Sequence, residues 1–251
     1  MRRLHRVSIA LSLAAVGVTT SAGAQDPKRP PPTELNGDVG FVNVAGNTSV
    51  TTLNVNQRYI RRFAPWEFKQ DFGTVYGRTD GAESSNLWRA SLRADYDLAS
   101  HWALYALTAF DKNKFAGITS RFAEGVGVVA KLIATDVDQF SLEGGFQLTQ
   151  QKNLDGTDDN FKSLRAATSV KHIFPGRSYI FQSLEMLPNL DDSEDLRVSS
   201  ETAVVAPVSA RIGLKFSYVV RYDNLPALNA AGTAPLQKTD RIFSTGIQIT
   251  F

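Results

Sequence analysis

The chain has 251 residues and no cysteine, which excludes a disulfide framework, a thiolate metal site and a cysteine nucleophile. Its 27 basic residues nearly balance its 25 acidic residues, for a formal charge of +2. Without the first 24 residues, which hold Arg2, Arg3 and Arg6, the balance is −1, from 24 basic and 25 acidic residues. A nucleic-acid partner is therefore not expected, because such binding usually shows as a basic stripe or patch.

The N-terminal segment, residues 1–24, has the pattern of a secretory signal peptide. A basic start precedes an apolar run at 7–18, and Ala22-Gly23-Ala24 matches the small-residue cleavage pattern. The run is shorter than the roughly 20 residues of a membrane-spanning helix, so we expect cleavage and export through the inner membrane. Residues 25–36, which contain four prolines, predict an extended periplasmic linker, and residues 37–251 predict one all-β domain.

From residue 37 onward, apolar residues recur at every second position, which is the period of a β-strand. In residues 86–98, for example, Trp88 and Leu92 share one face while Arg89 and Arg93 share the other. Most of the predicted strands have 10 to 15 residues, whereas strands of soluble proteins usually have about five or six and a tilted membrane strand has roughly 9–11. The pattern predicts twelve strands, at 38–46, 49–63, 67–78, 86–98, 101–111, 118–133, 139–151, 161–174, 178–187, 196–206, 210–223 and 238–251.

The predicted connections alternate in length. Those after even-numbered strands are tight, at 64–66, 99–100, 134–138, 175–177 and 207–209. Those after most odd-numbered strands are longer, at 79–85, 112–117, 152–160, 188–195 and 224–238. Outer-membrane barrels combine short periplasmic turns with longer outside loops. We therefore predict a closed antiparallel transmembrane β-barrel of about twelve strands in the outer membrane, with both termini in the periplasm.

The last segment, residues 243–251, predicts the closing strand. Its apolar face carries Phe243, Ile247, Ile249 and Phe251. This ending is similar to the C-terminal signature by which outer-membrane proteins are presented to the barrel assembly machinery. We expect that machinery and periplasmic chaperones as partners during biogenesis, and outer-membrane lipids and lipopolysaccharide afterwards. The alternative is the edge strand of a secreted β-sandwich.

Several motifs extend over nearly the whole predicted domain: GNTSVTTLNVN at 46–56, WRASLRADYDL at 88–98, YALTAFDKNKFAG at 105–117, RFAEGVGVVAKLIATD at 121–136 and RIGLKFSYVVRYDN at 211–224. With them the chain resembles the family of salt-induced outer-membrane proteins, small bacterial barrels that form a domain of unknown function. The resemblance implies an outer-membrane location and a link to envelope stress. It implies no catalytic residues.

The predicted inward faces carry mixed charge. A small pore would be lined by these residues, with a basic excess that favours anions. Alternatively, they form an ion-paired plug that neutralises charge in a poorly hydrated interior. The sequence leaves both open. The candidate lumen-lining residues are Lys69, Arg89, Arg93, Asp95, Arg165, Lys171, Arg197, Glu201, Arg211, Lys215 and Arg221.

Other kinds of site have little support in the sequence. Acidic residues at 155–159 and 191–195 could bind a divalent cation, but solvated acidic loops are commoner and no EF-hand pattern is present. A lipid hydrolase needs a base near a nucleophile, and both His101 and His172 fall near predicted periplasmic ends. A lipocalin-like barrel would have an apolar interior and about eight strands. We therefore expect no cofactor, metal or catalytic residue, and predict either a small diffusion pore or a stress-responsive structural component, with an outer-membrane deacylase or phospholipase as the alternative.

Overall fold

The computed structural model describes residues 32–44, 50–229 and 231–250. The predicted signal peptide, most of the predicted linker and Phe251 lie outside the described residues. Twelve strands follow one another: β1 Thr33–Val44, β2 Val50–Phe63, β3 Trp66–Thr79, β4 Ala82–Ala99, β5 Trp102–Asn113, β6 Ile118–Ala134, β7 Asp138–Asn153, β8 Asp158–Ile173, β9 Tyr179–Pro188, β10 Leu196–Pro207, β11 Ile212–Asp223 and β12 Thr239–Thr250. A single 3-10 turn, Lys114–Ala116, lies between β5 and β6. No helix among the described residues is long and apolar enough to cross a membrane.

The strands form one closed antiparallel barrel, so the predicted fold is confirmed. Each strand pairs with its neighbours in the chain, and β1 pairs with β12 to close the wall. The register of this closing seam extends from Asn36 opposite Thr250 to Val39 opposite Ile247. Closure pairs the backbone groups that an open sheet would leave exposed along its edges.

Most strand ends lie within three residues of the predicted ones, and two strands begin at least four residues earlier than predicted. Strand β1 begins at Thr33, so residues 33–36, which the sequence analysis assigns to the linker, pair with β2. The connection predicted at 79–85 is a two-residue turn, because β3 ends at Thr79 and β4 begins at Ala82. Asp80 and Gly81 have φ values of 49° and 80°. Asp-Gly is a favoured sequence for the type I′ turn that joins twisted antiparallel strands, and this preference outweighs the polarity of the segment.

The barrel has an apolar outer face and a polar interior. Large apolar side chains that point outward include Leu92, of which 58% is exposed, and Val126, of which 59% is exposed. Their neighbours along the strands point inward and carry the charges. The inward-facing Asp95, Arg165 and Arg197 are buried, although none of them is apolar. An exposed apolar surface that extends around a closed wall is typical of a membrane barrel.

The two ends of the barrel differ. We call the end with the connections after even-numbered strands the turn rim, and the opposite end the loop rim. At the turn rim, outward aromatic rings form a cluster in which Trp66 lies 5.8 Å from Phe68 and 4.9 Å from Tyr96. At the loop-rim side, Trp88 contacts Phe72 with the ring centroids 5.8 Å apart. Aromatic belts at two levels are typical of the two interfaces of a membrane.

One ring lies flat against the inner wall. The Tyr105 side chain on β5 covers Gly127 on β6 and Gly145 on β7, and a Cβ atom at Gly145 would lie 2.3 Å from the Tyr105 hydroxyl oxygen. Tyr105 itself is 3% exposed and packs with Ala103 and Val129. The two glycines therefore leave space that the Tyr105 ring fills. Aromatic rings cover glycines in the same way in other β-sheets.

This packing predicts a difference between two adjacent glycines. Gly145→Ala should destabilise the barrel by about 1–3 kcal/mol, because the methyl group would overpack the wall under Tyr105. Gly144→Ala is the matched control, since a Cβ atom there has nothing within 4 Å. Urea unfolding of the protein in lipid vesicles, followed by tryptophan fluorescence, measures both variants. Equal midpoints for the two variants would contradict the packing of Tyr105 on Gly145.

Candidate functional site

The barrel encloses a cavity of about 1390 Å³. It begins at the turn rim, where Thr135 and Arg177 line it, and extends toward the loop rim as far as Leu87, Arg221 and Ile242. This volume exceeds the roughly 300–1,000 Å³ of a typical small-molecule pocket. Among the described residues, its lining contains ten basic and eight acidic side chains. The cavity is therefore wide, polar and slightly basic.

A continuous ion-pair network follows the wall from β1 to β9. It begins at Glu34 on β1 and ends at Glu185 on β9, and alternating charges connect the two. At its centre, Glu143 Oε2 accepts hydrogen bonds from Arg93 Nη1 at 2.8 Å and from Arg165 Nη1 at 2.6 Å. The members in order are Glu34, Arg62, Glu67, Lys69, Asp95, Arg93, Glu143, Arg165 and Glu185. These charges neutralise one another, as a partly desolvated interior requires.

Tyr105 lies between the two arginines of this centre. The guanidinium carbon of Arg93 is 4.3 Å from the ring centroid, and that of Arg165 is 5.3 Å away. Arg165 Nη1 also donates to the Tyr105 hydroxyl at 3.1 Å. The ring, held by Gly127 and Gly145, thus fixes two guanidinium groups that belong to β4 and β8. The contact with the Tyr105 ring directs Arg93 toward Glu143, which lies on β7, three strands away along the wall.

Near the loop rim, one side of the interior is filled. Arg121 makes two hydrogen bonds with Asp111, at 2.9 and 3.0 Å. The guanidinium of Arg197 lies 3.7 Å from the centroid of the Phe161 ring and donates to Ser163, which is completely buried. The inward residues of β7 at this level, Gln147, Thr149, Gln151 and Asn153, are buried too. At this level, the open part of the lumen therefore follows the opposite side, along β1–β4, β11 and β12.

The longest described connection, residues 224–238 between β11 and β12, crosses the loop rim. Its residues Ala227 and Leu236 lie where a Cβ atom at Gly117, between β5 and β6, would be 2.8 Å from each. Near its start, Asn224 donates to the backbone oxygens of Leu196 and Glu194. Since β6 is six strands from β12 in the closed order, the connection extends from one side of the rim to the other. We call it the crossing loop.

Eight of the eleven candidate lumen-lining residues line the cavity: Lys69, Arg89, Arg93, Asp95, Lys171, Glu201, Lys215 and Arg221. Arg165 and Arg197 also point inward but are buried in the clusters described above. The position of Arg211 differs from the prediction: it is exposed in the turn before β11, which begins at Ile212. The Ser209 hydroxyl accepts hydrogen bonds from the backbone nitrogens of Arg211 and Ile212, and these bonds form the turn that precedes β11.

The closing-strand residues Phe243, Ile247 and Ile249 are exposed on the outer face, while Phe251 lies outside the described residues. Sequence reasoning missed Glu143 and Tyr105, the centre of the ion-pair network. Alternation along their strands would have placed both side chains inward. It could not have shown that Arg165 on β8 contacts both Glu143 on β7 and Tyr105 on β5.

The remaining candidate groups are the acidic loop residues and the histidines His101 and His172. No group of three or more acidic or histidine side chains in the described part of the chain is arranged to hold a metal ion. In the loop between β7 and β8, hydrogen bonds from the Thr157 side chain and backbone lower the pKa of Asp155. At the turn rim, His172 Nδ1 lies 2.6 Å from Asp138 Oδ1 and His101 Nδ1 lies 2.9 Å from Ser100 Oγ. Neither histidine has both a carboxylate and a hydroxyl among these partners.

Comparison with the NanC porin supports the fold. The chain is similar to the NanC porin, with a TM-score of 0.53 and 12% identity, over 85% of this chain and 98% of that chain. It also matches the translocator domain of autotransporter NalP from Neisseria meningitidis, with a TM-score of 0.46, 10% identity and 88% of each chain covered. A third match is the KdgM porin in complex with disordered oligogalacturonate, with a TM-score of 0.45, 10% identity and coverage of 87% and 99%.

No curated protein matches the chain. A family model described as "Protein of unknown function, DUF481" matches residues 37–251, nearly the whole described barrel. The name salt-induced, which the sequence motifs imply, stays a prediction. The match covers well over half of the chain, and the chain therefore belongs to the DUF481 family.

Proposed function

We propose that this chain forms a small diffusion pore in the outer membrane of a Gram-negative bacterium, with the turn rim in the periplasm and the loop rim outside. The observation that carries the proposal is the cavity of about 1390 Å³ inside a closed barrel whose outer face is apolar. A plug made only of ion pairs would leave no such space. The ion-pair network stays on the wall and stiffens it.

The lining supports a preference for anions. Ten basic against eight acidic side chains line the cavity in the described part of the chain, and rings of basic residues favour anions in pores. Export by the signal peptide, insertion by the barrel assembly machinery with periplasmic chaperones, and contact with lipopolysaccharide are parts of the same proposal. A role in envelope stress fits the pore as well as it fits a purely structural component.

Planar-bilayer recording of the refolded full mature chain tests this proposal. We expect steady single-channel openings, and a reversal potential in a KCl gradient that shows chloride to be more permeant than potassium. A silent bilayer would contradict the pore and favour the structural role. Mass spectrometry of outer-membrane lipids, with and without the protein, tests the hydrolase alternative, for which deacylated lipids should appear only with the protein.

A further inference from the structure

Most cations that line the cavity already have a carboxylate partner. Arg58 contacts Asp71 at 2.5 Å, Lys215 contacts Asp38 at 2.6 Å, and Lys131 contacts Asp97 at 2.5 Å. Arg62, Lys69 and Arg93 belong to the ion-pair network. The lining cations with no carboxylate oxygen of the described residues within 4 Å are Arg89, Lys171, Arg177 and Arg221. The basic excess of the lumen is therefore concentrated in four side chains.

These four lie in two places. Arg177 is in the turn between β8 and β9, and Lys171 lies against the Tyr179 ring, with its Nζ 4.5 Å from the centroid. Both are at the turn rim, where the cavity is open and water and salt screen charge. Arg89 on β4 and Arg221 on β11 are half-buried and lie at the other end, next to the filled side of the interior. Charges there are less screened.

The wall holds Arg89 in position. Its side chain lies on Gly73 of β3, where a Cβ atom would be 2.7 Å from Arg89 Nε and 3.2 Å from its Cγ. Arg89 Nη2 donates to Asn56 Oδ1 at 3.3 Å, and Asn56 in turn donates to Asn54 at 3.1 Å. A glycine and an asparagine thus orient a guanidinium group that lines the cavity and whose other N–H donors have no hydrogen-bond acceptor among the described residues.

Arg221 on β11 lies within electrostatic range of Arg89, across the open part of the lumen. It lies opposite Asp240 in the β11–β12 register, but no Asp240 oxygen is within 4 Å in the described residues. Glu201 on β10 also lines the cavity, so the site is not uniformly positive. It still contains two guanidinium groups and only one lining carboxylate that is unpaired among the described residues. A guanidinium group binds carboxylate and phosphate oxygens through two parallel hydrogen bonds.

We infer that Arg89 and Arg221 form a binding site for oxyanions, carboxylates or phosphates, at the loop end of the cavity. The inference deepens the proposed pore function and rests on it for its role in transport. In a pore, the site would bind an anion at the narrow end of its path. The lumen arginines that pair with carboxylates, Arg58, Arg62 and Arg93, hold the wall together and contribute little to the choice of ion.

The test compares Arg89→Gln with Arg221→Gln, as a double variant, against Arg211→Gln. Arg211→Gln removes one positive charge, as each substitution of the double variant does, but Arg211 is exposed in a turn outside the cavity. We expect the double variant to change the chloride-to-potassium permeability ratio from above one to one or below, and to weaken block of the KCl current by inorganic phosphate at least tenfold. Acetate replaces phosphate in a parallel series, which distinguishes carboxylate from phosphate recognition. The Arg211 variant should behave as the wild type.

Phosphate binding to the detergent-purified protein, measured by isothermal titration calorimetry, gives a readout that needs no conduction. A conducting pore whose double variant keeps wild-type selectivity, phosphate block and phosphate binding would overturn the site and leave the pore intact. A silent protein that binds phosphate only when both arginines are present would overturn the pore and support the site. Circular dichroism and heat-dependent mobility in SDS gels confirm that each variant is folded.

Discussion

Replacing residues 226–236 of the crossing loop by a short Gly-Ser linker is expected to raise the single-channel conductance severalfold. The loop extends from β11 and β12 to the β5–β6 connection, so it covers the part of the loop rim through which ions would leave the cavity. Its chain is unusually apolar for an outside loop, and it carries no charge between Asn224 and Gln237. An uncharged loop across the rim narrows the exit from the cavity and so adds resistance to ion flow.

The crossing loop is ordered by its own hydrogen bonds. The Leu236 nitrogen donates to the Ala227 oxygen at 3.0 Å, and the Asn229 nitrogen donates to the Ala234 oxygen at 2.9 Å. The Asn229 side chain also accepts a hydrogen bond from the Thr233 nitrogen at 3.0 Å. The loop therefore forms a small hairpin of its own, whose removal should leave the twelve strands unchanged.

A disulfide provides the complementary experiment. A Cβ atom at Gly232 would lie 3.9 Å from the Asp155 Cβ atom, close to the Cβ–Cβ distance of about 3.8 Å in disulfides. Because the chain has no cysteine, Gly232→Cys with Asp155→Cys creates one bond and no competing pairs. Conductance of the oxidised variant should stay at or below the wild-type level and should return to the wild-type level on reduction. A truncated loop with wild-type conductance would show that the loop lies outside the ion path.

The sequence was sufficient to predict the wall of this barrel. Alternation along each strand identifies which side chains point inward, because a strand has only two faces and only one can contact lipid. The positions of Lys69, Arg93 and Lys215 in the cavity follow from that rule alone. The prediction for Arg211 is wrong because alternation cannot locate the first residue of a strand. Hydrogen bonding to the Ser209 hydroxyl keeps Arg211 in the turn before β11.

Features that depend on distant parts of the chain could not be predicted in this way. The Arg93–Glu143 contact joins residues on β4 and β7, and it exists because Tyr105 and two glycines shape the wall between them. The sequence shows the crossing loop only as a long connection, whereas its position depends on packing against Gly117. The distinction between paired and unpaired arginines is likewise a property of the assembled lumen. Composition gives only the total charge.

Three lysines on the outer face should prevent the barrel from inserting into a membrane. Leu92, Val126 and Phe216 lie on β4, β6 and β11 with exposed outward side chains. Each Leu92→Lys, Val126→Lys or Phe216→Lys change should cost about 2–4 kcal/mol near the bilayer midplane. The sites are on separate strands without shared partners, so the costs should add to about 6–12 kcal/mol, which is comparable to the entire stability of a typical domain of about 5–15 kcal/mol.

The matched control places the same three charges on the inner face. Asn54, Ser91 and Ser169 line the cavity, where water can solvate a lysine, so Asn54→Lys, Ser91→Lys and Ser169→Lys together should leave folding nearly unchanged. The folded fraction in phospholipid vesicles, measured by heat-dependent mobility in SDS gels, should be near zero for the outer-face variant and near the wild-type value for the inner-face variant. Both variants add the same net charge, so a difference in folding would come only from the surroundings of each face, which are lipid hydrocarbon outside and water inside. Equal folding of the two variants would mean that the apolar wall faces something other than hydrocarbon.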